Sequence, residues 1–315
     1  MNHFKYISHS KLNKVKWDKS ISNSFNERIY AYSWYLDIIS ENWNAIIYKN
    51  YKAVFPVIFK NRILFKTYYQ PFFAQQLGLF INREINDTEK LKLTSSFFTF
   101  LYKKIGVLTF CSTSEFKFYF ENVVLKKNFL PFSNFHNVKM RINLELDLTN
   151  NYSAIIKNYK KNTVRNLDKA KKKNFNLIKN FNLKFEKNMI QDFLFLYQKN
   201  VASHINLKRN HLKIINDILV SSFKKEKGYF ISVFFEGKLI SSAFILSCYK
   251  RDILIFHATE ESFREFHPTS YLIDSHIREN SNSDKVLDFE GSSIDGIYRF
   301  YKGFGAIENN YYLHY

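Results

Sequence analysis

The spacing of hydrophobic positions predicts alternating helices and strands along most of the chain. Apolar residues recur every three or four positions in four stretches, the period of amphipathic helices: Asn26–Ile39, Glu89–Lys104, Asn188–Asn200 and Pro268–Glu279. Short apolar or alternating runs predict strands at Ala45–Tyr48, Ala53–Phe59, Arg62–Tyr69, Val107–Phe110, Arg141–Leu148, Tyr229–Phe235, Leu239–Cys248, Asp252–His257 and Val286–Phe289. This mixture predicts an α/β fold with a mixed (α+β) sheet.

The elements of the two halves follow one another in the same order. At an offset of 190 residues, Ala53 aligns with Ala243, Ile63 with Ile253 and Leu64 with Leu254. Each half also has a predicted hairpin, followed by a strand and a helix. This indicates either an internal duplication or two domains that share a common order of elements. We predict domains at 1–135 and 136–315, with the junction within 126–140.

The sequence lacks the apolar run of about 18–20 residues that a membrane helix needs. Its first residues also lack the apolar segment of a secretory signal. We therefore expect a cytoplasmic protein without a transmembrane segment.

The charge is strongly basic, with 47 Lys+Arg against 28 Asp+Glu and a net charge of +19. Lys supplies 37 of these cations and Arg only 10. A preference for A/T-rich codons therefore explains the charge as well as an anionic partner does. The charge is also local, because residues 157–187 hold 11 basic and 2 acidic residues.

This basic segment predicts a helix over Lys157–Asn174. Its apolar stripe consists of Ile155, Ile156, Tyr159, Val164, Leu167 and Ala170. Its cations are Lys160, Lys161, Arg165, Lys169 and Lys172. Such a helix either binds a phosphate-bearing ligand or presents a solvated face.

Glycine identifies a second segment, since half of the 8 glycines lie close together near the C-terminus, at Gly291, Gly296, Gly303 and Gly305. The run Val286–Ala306 predicts a strand, a Gly-Ser-Ser loop and a short helix at Ile297–Tyr301. Asp288 and Glu290 lie on one face of that strand. Paired carboxylates either provide a general base or bind loop amides and neighbouring cations.

These two segments resemble the GNAT acyltransferase fold, and more closely the Fem-type aminoacyltransferases, which are two GNAT-like domains in tandem. The basic helix reads Asn162-Thr163-Val164-Arg165-Asn166-Leu167-Asp168-Lys169-Ala170, similar to the helix that opens their second domain. The end reads Phe300-Tyr301-Lys302-Gly303-Phe304-Gly305, close to their aromatic-Lys-x-x-Phe-Gly signature. The chain departs from it at Tyr301, because the lysine comes one residue later.

The resemblance implies an acyl donor, but two donors remain open. Tyr301 and Gly305 have the Tyr-x-x-x-Gly spacing of simple GNAT enzymes, whose tyrosine protonates the departing CoA thiolate, and this favours acyl-CoA. The place of their glycine-rich pyrophosphate loop reads Arg264-Glu265-Phe266-His267-Pro268-Thr269, without glycine. That departure and the basic helix favour an aminoacyl-tRNA.

We therefore expect an acyltransferase that needs no metal and acts on an amine, such as that of an amino sugar or cell-envelope precursor, with a possible peripheral membrane association. Asp288 or Glu290 would accept the proton of the amine, and Tyr301 would protonate the leaving group. The predicted substrate-binding residues are Lys160, Lys161, Arg165, Arg299, Lys302, Gln70 and His257. The alternative is a non-catalytic protein that binds nucleic acid or an anionic surface.

Overall fold

The computed structural model describes residues 3–63, 65–106, 109–125, 138–180, 187–202, 207, 209–291 and 294–315. The chain divides into two compact units, Met1–Ile142 with Asn309–Tyr315 (unit 1) and Asn143–Glu308 (unit 2). The junction predicted at 126–140 lies mostly outside the described residues. The predicted division placed the end of the chain in the second domain. In the structure, residues from Asn309 onward belong to unit 1, because the last strand pairs with strands of that unit.

Unit 1 contains a sheet, further short strands and helices. The strands are β1 (Phe4–Ile7), β2 (Trp43–Tyr48), β3 (Ala53–Asn61), β4 (Lys66–Tyr68), β5 (Phe80–Ile81), β6 (Phe110–Cys111) and β7 (Val138–Arg141). The helices are α1 (Lys14–Ser22), α2 (Ser33–Ile39), α3 (Asp87–Ile105) and α4 (Lys117–Phe120). Strands β1 to β4 lie side by side in that order, and β5 also pairs with β3.

The prediction of a helix over Asn26–Ile39 is wrong in its first half. Helix α2 starts at Ser33, and only a single 3-10 turn precedes it. The cause is two buried polar residues: Asn26 donates to the carbonyl of Leu79 at 2.9 Å, and Arg28 pairs with Glu115 at 2.8 Å. These bonds to distant segments hold the backbone in an extended conformation at Arg28, with φ −136°.

The prediction of a strand over Arg62–Tyr69 is wrong at its start. Strand β3 continues to Asn61, the chain turns, and β4 begins only at Lys66. The turn is closed by the N–H of Arg62, which donates to the carbonyl of Phe65 at 2.8 Å. Ile63 and Phe65 contribute to the apolar run that predicted a strand, but both side chains are exposed to solvent.

Unit 2 contains a larger sheet between helices. Its strands are β8 (Leu144–Asp147), β9 (Asn176–Asn180), β10 (Gly228–Phe235), β11 (Lys238–Cys248), β12 (Arg251–Thr259), β13 (Val286–Asp288) and β14 (Ile307–Glu308). Its helices are α5 (Tyr152–Ile155), α6 (Lys161–Lys171), α7 (Lys187–Tyr197), α8 (Arg209–Lys224), α9 (Pro268–Asn280) and α10 (Asp295–Lys302). The final strand, β15 (Tyr311–His314), lies between β6 and β7 of unit 1.

The sheet of unit 2 has the order β14-β8-β13-β12-β11-β10-β9, in which β12 and β13 are parallel. Adjacent residues of β10 point to opposite faces, so Ile231 packs with α6 and α9, while Phe230 packs on Phe193 of α7 and Phe223 of α8. Both faces are thus covered by helices. This burial explains the continuous apolar runs of β10 and β11.

The two units have a similar order of elements but not the residue alignment that the sequence suggested. A hairpin, a later strand and a helix occur as β2, β3, β5 and α3 and again as β10, β11, β12 and α9, but in unit 1 the additional strand β4 comes between β3 and β5. However, Ala53 directly follows its hairpin turn opposite Tyr48, whereas Ala243 lies within β11 opposite Ile231. The predicted strand Arg141–Leu148 is also wrong as one element, because it splits into β7 and β8 at the unit boundary.

A buried carboxylate organises one end of the unit 2 sheet. Asp252 is fully enclosed and lies 2.6 Å from the hydroxyl of Ser247, 2.8 Å from the ammonium of Lys285 and 3.4 Å from the imidazole of His276. Burial alone raises the pKa of Asp252, but the hydrogen bonds and charges of His276 and Lys285 outweigh it and hold the pKa at about 2.

The lowered pKa of Asp252 predicts an acid-dependent loss of stability. A folded-state pKa below the unfolded value of about 3.9 gives stability that is complete well above pH 4 and is lost as the pH falls toward 2. We expect wild type to lose about 1 kcal/mol more of its unfolding free energy than Asp252→Asn between pH 6 and pH 3, measured by urea denaturation. The exposed Asp284→Asn variant is the matched control, and a wild-type-to-D252N difference that stays constant with pH would contradict the assignment.

Candidate functional site

Strands β12 and β13 part at the centre of the unit 2 sheet. Their parallel pairing runs from Arg251 and Val286 to Ile253 and Asp288. The chain then stays with β8, because the N–H of Phe289 donates to the Leu144 carbonyl at 2.9 Å. Strand β12 continues to residue 259, so its further edge has no strand beside it among the described residues. We call this gap the opening.

Asp288, a predicted catalytic residue, is the last residue of β13 and is buried. One of its oxygens lies 2.7 Å from a guanidinium nitrogen of Arg251, which is also 2.7 Å from Glu145 on β8. The other oxygen accepts the N–H of Glu290 at 2.8 Å. Both carboxylate oxygens of Asp288 are therefore engaged in bonds at the edge of the opening, and its catalytic role stays a prediction.

Glu290, the second predicted carboxylate, lies just beyond the point where the strands part. Its φ of 58° is unusual for a residue with a side chain. The bond of its N–H to Asp288 and the bond of its carbonyl with the N–H of Leu144, at 3.3 Å, hold that conformation. Burial is the larger cause and the negative charge of Glu290 the second cause that raises the pKa of two buried tyrosines, so the carboxylate is close enough to act on both electrostatically.

Tyr301, the predicted acid, is the first of these tyrosines. The predicted short helix is present as α10, and Tyr301 is its buried residue. The ring stacks on Phe289 with the centroids 4.6 Å apart. Burial first, and then the charge of Glu290, raise the pKa of Tyr301 well above its usual value. The phenol is therefore protonated at neutral pH.

Tyr197 is the second tyrosine, and sequence reasoning missed it. It ends α7, where a π-helical turn at Gln198–Ala202 follows, and its ring packs edge-on to Phe256. Burial and then the charge of Glu290 raise its pKa to about 12. In the sequence, Tyr197 is one of several aromatic residues in a helical stripe, and its proximity to Glu290 has no local signal.

His257 lies on the part of β12 that borders the opening, opposite Ala243 of β11. Burial lowers the pKa of His257 to about 4, so its imidazole is neutral at physiological pH. A neutral imidazole can donate or accept a hydrogen bond but contributes no charge to binding a phosphate.

The predicted basic helix is shorter than expected, because α6 starts at Lys161 rather than at residue 157. Val164, assigned to the apolar stripe, is 43% exposed, and the buried residues of α6 are Thr163, Leu167 and Ala170. Its cations Lys160, Lys161, Arg165 and Lys169 are all exposed.

Two glycines let α10 end directly against the start of α6. A Cβ on Gly303 would collide with the Thr163 hydroxyl, and one on Gly305 would come within 2.9 Å of the Asn158 Cβ. The N–H of Lys160 donates to the Gly303 carbonyl at 2.9 Å. This packing brings the segment of Lys302 to that of Lys160.

The other end of α6 lies beside the start of α9. Burial, followed by the charges of Lys169 and Arg165, lowers the pKa of His267, the residue that precedes α9. The ammonium of Lys173 lies 3.8 Å from the ring centroid of Phe266. The exposed cations along α6 therefore form a stripe from the end of α10 to the N-terminus of α9, where a helix dipole also favours anions.

Two predicted substrate-binding residues remain, Arg299 and Gln70. Arg299 is exposed on α10. Gln70 belongs to unit 1, where its amide donates to the Ala74 carbonyl at 2.5 Å and accepts the N–H of Cys111 at 2.9 Å. Those contacts brace a loop of unit 1. Within the described part of the chain, no group of His, Cys, Asp and Glu side chains is arranged to hold a metal ion.

Comparison with known proteins identifies the fold. No protein-family model and no curated protein sequence matches the chain. A crystal structure of FemX superposes with a TM-score of 0.67 at 9% identity and covers 98% of this chain and 96% of that one. The structure of L-PGS from Bacillus licheniformis gives a TM-score of 0.57 at 8% identity, over 96% and 91% of the two chains.

A third structure is an acetyltransferase of the GNAT family from Colwellia psychrerythraea, with a TM-score of 0.51, 10% identity and coverage of 98% and 97%. Likeness at these identities concerns the fold. The predicted fold class is confirmed: the chain has a mixed α/β architecture of the FemX and GNAT type along nearly its whole length.

Proposed function

We propose that the protein transfers an acyl or aminoacyl group from an activated donor to an amine, and that the reaction takes place at the opening in unit 2. The observation that carries this proposal is the group formed by Glu290, Tyr301 and Tyr197 where β13 leaves β12. A carboxylate that can accept a proton and a phenol that holds one are the two groups that amide formation requires.

The proposed chemistry balances as follows. The neutral amine attacks the carbonyl carbon of the donor, a C–N bond forms, and the amine loses a proton to Glu290. The bond from the carbonyl carbon to the leaving oxygen or sulfur then breaks. Tyr301 gives its proton to that atom, and it recovers a proton from Glu290 through solvent.

The two residues support each other electrostatically. Burial is the main cause of the raised pKa of Tyr301, and the charge of the ionised Glu290 raises that pKa further. Once Glu290 has taken the proton of the amine, that charge is neutralised, and the phenol becomes a stronger acid. The proton of Tyr301 is thus released more readily when the leaving group needs it.

The raised pKa of Tyr301 favours a donor whose leaving atom is oxygen. A thiolate, with a pKa of about 8.5, is a weaker base than a phenolate whose pKa lies above about 10, so it gains little from such an acid. The alkoxide released from an aminoacyl ester is a far stronger base and is protonated favourably. We therefore propose aminoacyl-tRNA as the donor, with acyl-CoA as the alternative.

The stripe along α6 would bind the phosphates of that donor. Lys160, Lys161 and Arg165 are exposed along one helix, with Lys302 on the adjoining segment and the N-terminus of α9 at the far end. Pro268 at the first position of α9 removes one N–H that a compact pyrophosphate site would use. An extended row of cations suits a polynucleotide backbone better.

For the acceptor, we propose the amine of an amino sugar or of a cell-envelope precursor, met in the cytoplasm. L-PGS, which shares the fold, is similar to this chain only at 8% identity. The acceptor therefore rests on the resemblance of the C-terminal sequence to Fem-type enzymes.

The role of Tyr301 is tested by Tyr301→Phe. We expect kcat for transfer to fall about 100-fold with donor affinity unchanged, because the ring still packs on Phe289 but the proton is gone. The assay is donor-dependent amide formation followed by mass spectrometry. Tyr298→Phe is the matched control, since it removes a hydroxyl from the same helix that bonds Glu308 outside the opening. Equal turnover of Y301F and Y298F would contradict the role.

The identity of the donor is tested by removing cations from the stripe along α6 and measuring how tightly the donor binds. We expect a Lys160→Gln/Lys161→Gln/Arg165→Gln variant to bind aminoacyl-tRNA at least tenfold more weakly than wild type, with a shallower dependence of affinity on salt. The control Lys213→Gln/Lys224→Gln/Lys225→Gln removes three exposed lysines at helix α8. If the wild-type protein binds acetyl-CoA but does not bind tRNA, the donor is acyl-CoA rather than aminoacyl-tRNA.

The second candidate function, a non-catalytic binder of nucleic acid or an anionic surface, is favoured by the stripe alone. It predicts that the stripe variant loses binding while no donor gives an amide product with wild type.

A further inference from the structure

The β3–β4 hairpin of unit 1 extends away from the core. Its last pairs join Lys60 with Thr67 and Asn61 with Lys66, and the Arg62 N–H donates to the Phe65 carbonyl at 2.8 Å. The described residues from 61 to 67 are all exposed. The end of the β3–β4 hairpin is a two-stranded ribbon, so it adds little to the stability of the sheet.

The tip of this hairpin has unusual side chains. Ile63 is fully exposed and Phe65 is 66% exposed. Leu64 separates them in the sequence. Two-residue hairpin turns favour Asn, Asp and Gly, because these residues adopt the turn conformation easily and are well solvated. Exposed apolar residues such as Ile63 and Phe65 contribute nothing to the core, so folding does not explain them.

Cations surround the apolar tip. Lys60, Arg62 and Lys66 flank it, and the ammonium of Lys66 lies 4.2 Å from the ring centroid of Phe59 on the opposite strand. Acidic residues are absent from the whole sequence from Asn42 to Arg83, which contains six Lys and Arg. The apolar tip is thus embedded in a stretch of purely positive charge.

We propose that the β3–β4 hairpin docks the protein on an anionic lipid membrane, with Ile63 and Phe65 inserted among the lipids and the flanking cations at the headgroups. Aliphatic and aromatic side chains ringed by Lys and Arg match the boundary between acyl chains and negative headgroups. A stable protein interface buries about 800 Å² per partner, which the side chains of Ile63 and Phe65 do not provide. The described helices, for their part, include none long and apolar enough to span a bilayer.

The inference is independent of the proposed transfer reaction, because membrane binding can be measured without donor or acceptor. The test is co-sedimentation of the full chain with vesicles of phosphatidylcholine alone and with vesicles of phosphatidylcholine mixed with phosphatidylglycerol. We expect binding to the anionic vesicles, at least tenfold weaker for Ile63→Ser/Phe65→Ser. The matched control is Val15→Ser/Phe118→Ser, which removes two well-exposed apolar side chains elsewhere in unit 1 and should bind as wild type does.

A second measurement keeps insertion distinct from simple charge attraction. An Ile63→Trp variant should show a blue shift of its added fluorescence with anionic vesicles, compared with wild type under the same conditions. Absence of vesicle binding by wild type, or equal binding by I63S/F65S and wild type, would overturn the proposal. Self-association that is lost in I63S/F65S without any vesicle binding would instead identify the tip as a contact between copies of the chain.

Discussion

The candidate site in unit 2 depends on the buried guanidinium of Arg251. Arg251 on β12 binds Glu145 on β8 and Asp288 on β13, each at 2.7 Å, and all three side chains are buried. Burying an arginine is costly unless its partners are well placed, and here they come from two strands on the same side of β12, namely β13 and β8. The bonds hold β13 against β12 as far as Asp288, and the chain then leaves β12 and remains paired with β8.

The position of Glu290 follows from that constraint. Its N–H binds the carboxylate that Arg251 holds, and its φ of 58° turns the chain at the opening. Tyr301 reaches the same place from the other direction, because Phe289 stacks on its ring and Gly303 lets α10 end against α6. Residues that hold the backbone in place and residues proposed to react are therefore neighbours in the sequence, and both kinds lie in the segment from Asp288 to Gly305.

Periodicity predicted the long elements well. Pro268–Glu279 and Leu239–Cys248 match α9 and β11 closely, because extended burial on one or both faces leaves a clear pattern. Periodicity gave a wrong prediction where side chains bond to distant parts of the chain. Asn26 bonds to Leu79 and Arg28 to Glu115, and the backbone at these residues is not helical as predicted. Periodicity also failed at Ile63 and Phe65, whose apolar character does not reflect burial. In the candidate site, motif spacing pointed to Glu290 and Tyr301, but only the folded chain brings Tyr197 within the electrostatic influence of Glu290.

The central claim is that the carboxylate of Glu290 at the opening accepts the proton of the attacking amine. The most direct measurement is the rate of donor-dependent amide formation by Glu290→Gln, together with donor affinity. The account predicts kcat at least 100-fold below that of wild type with an unchanged donor Kd, since the amide cannot take the proton but keeps the size of the side chain. A variant that forms the amide at the wild-type rate would contradict it.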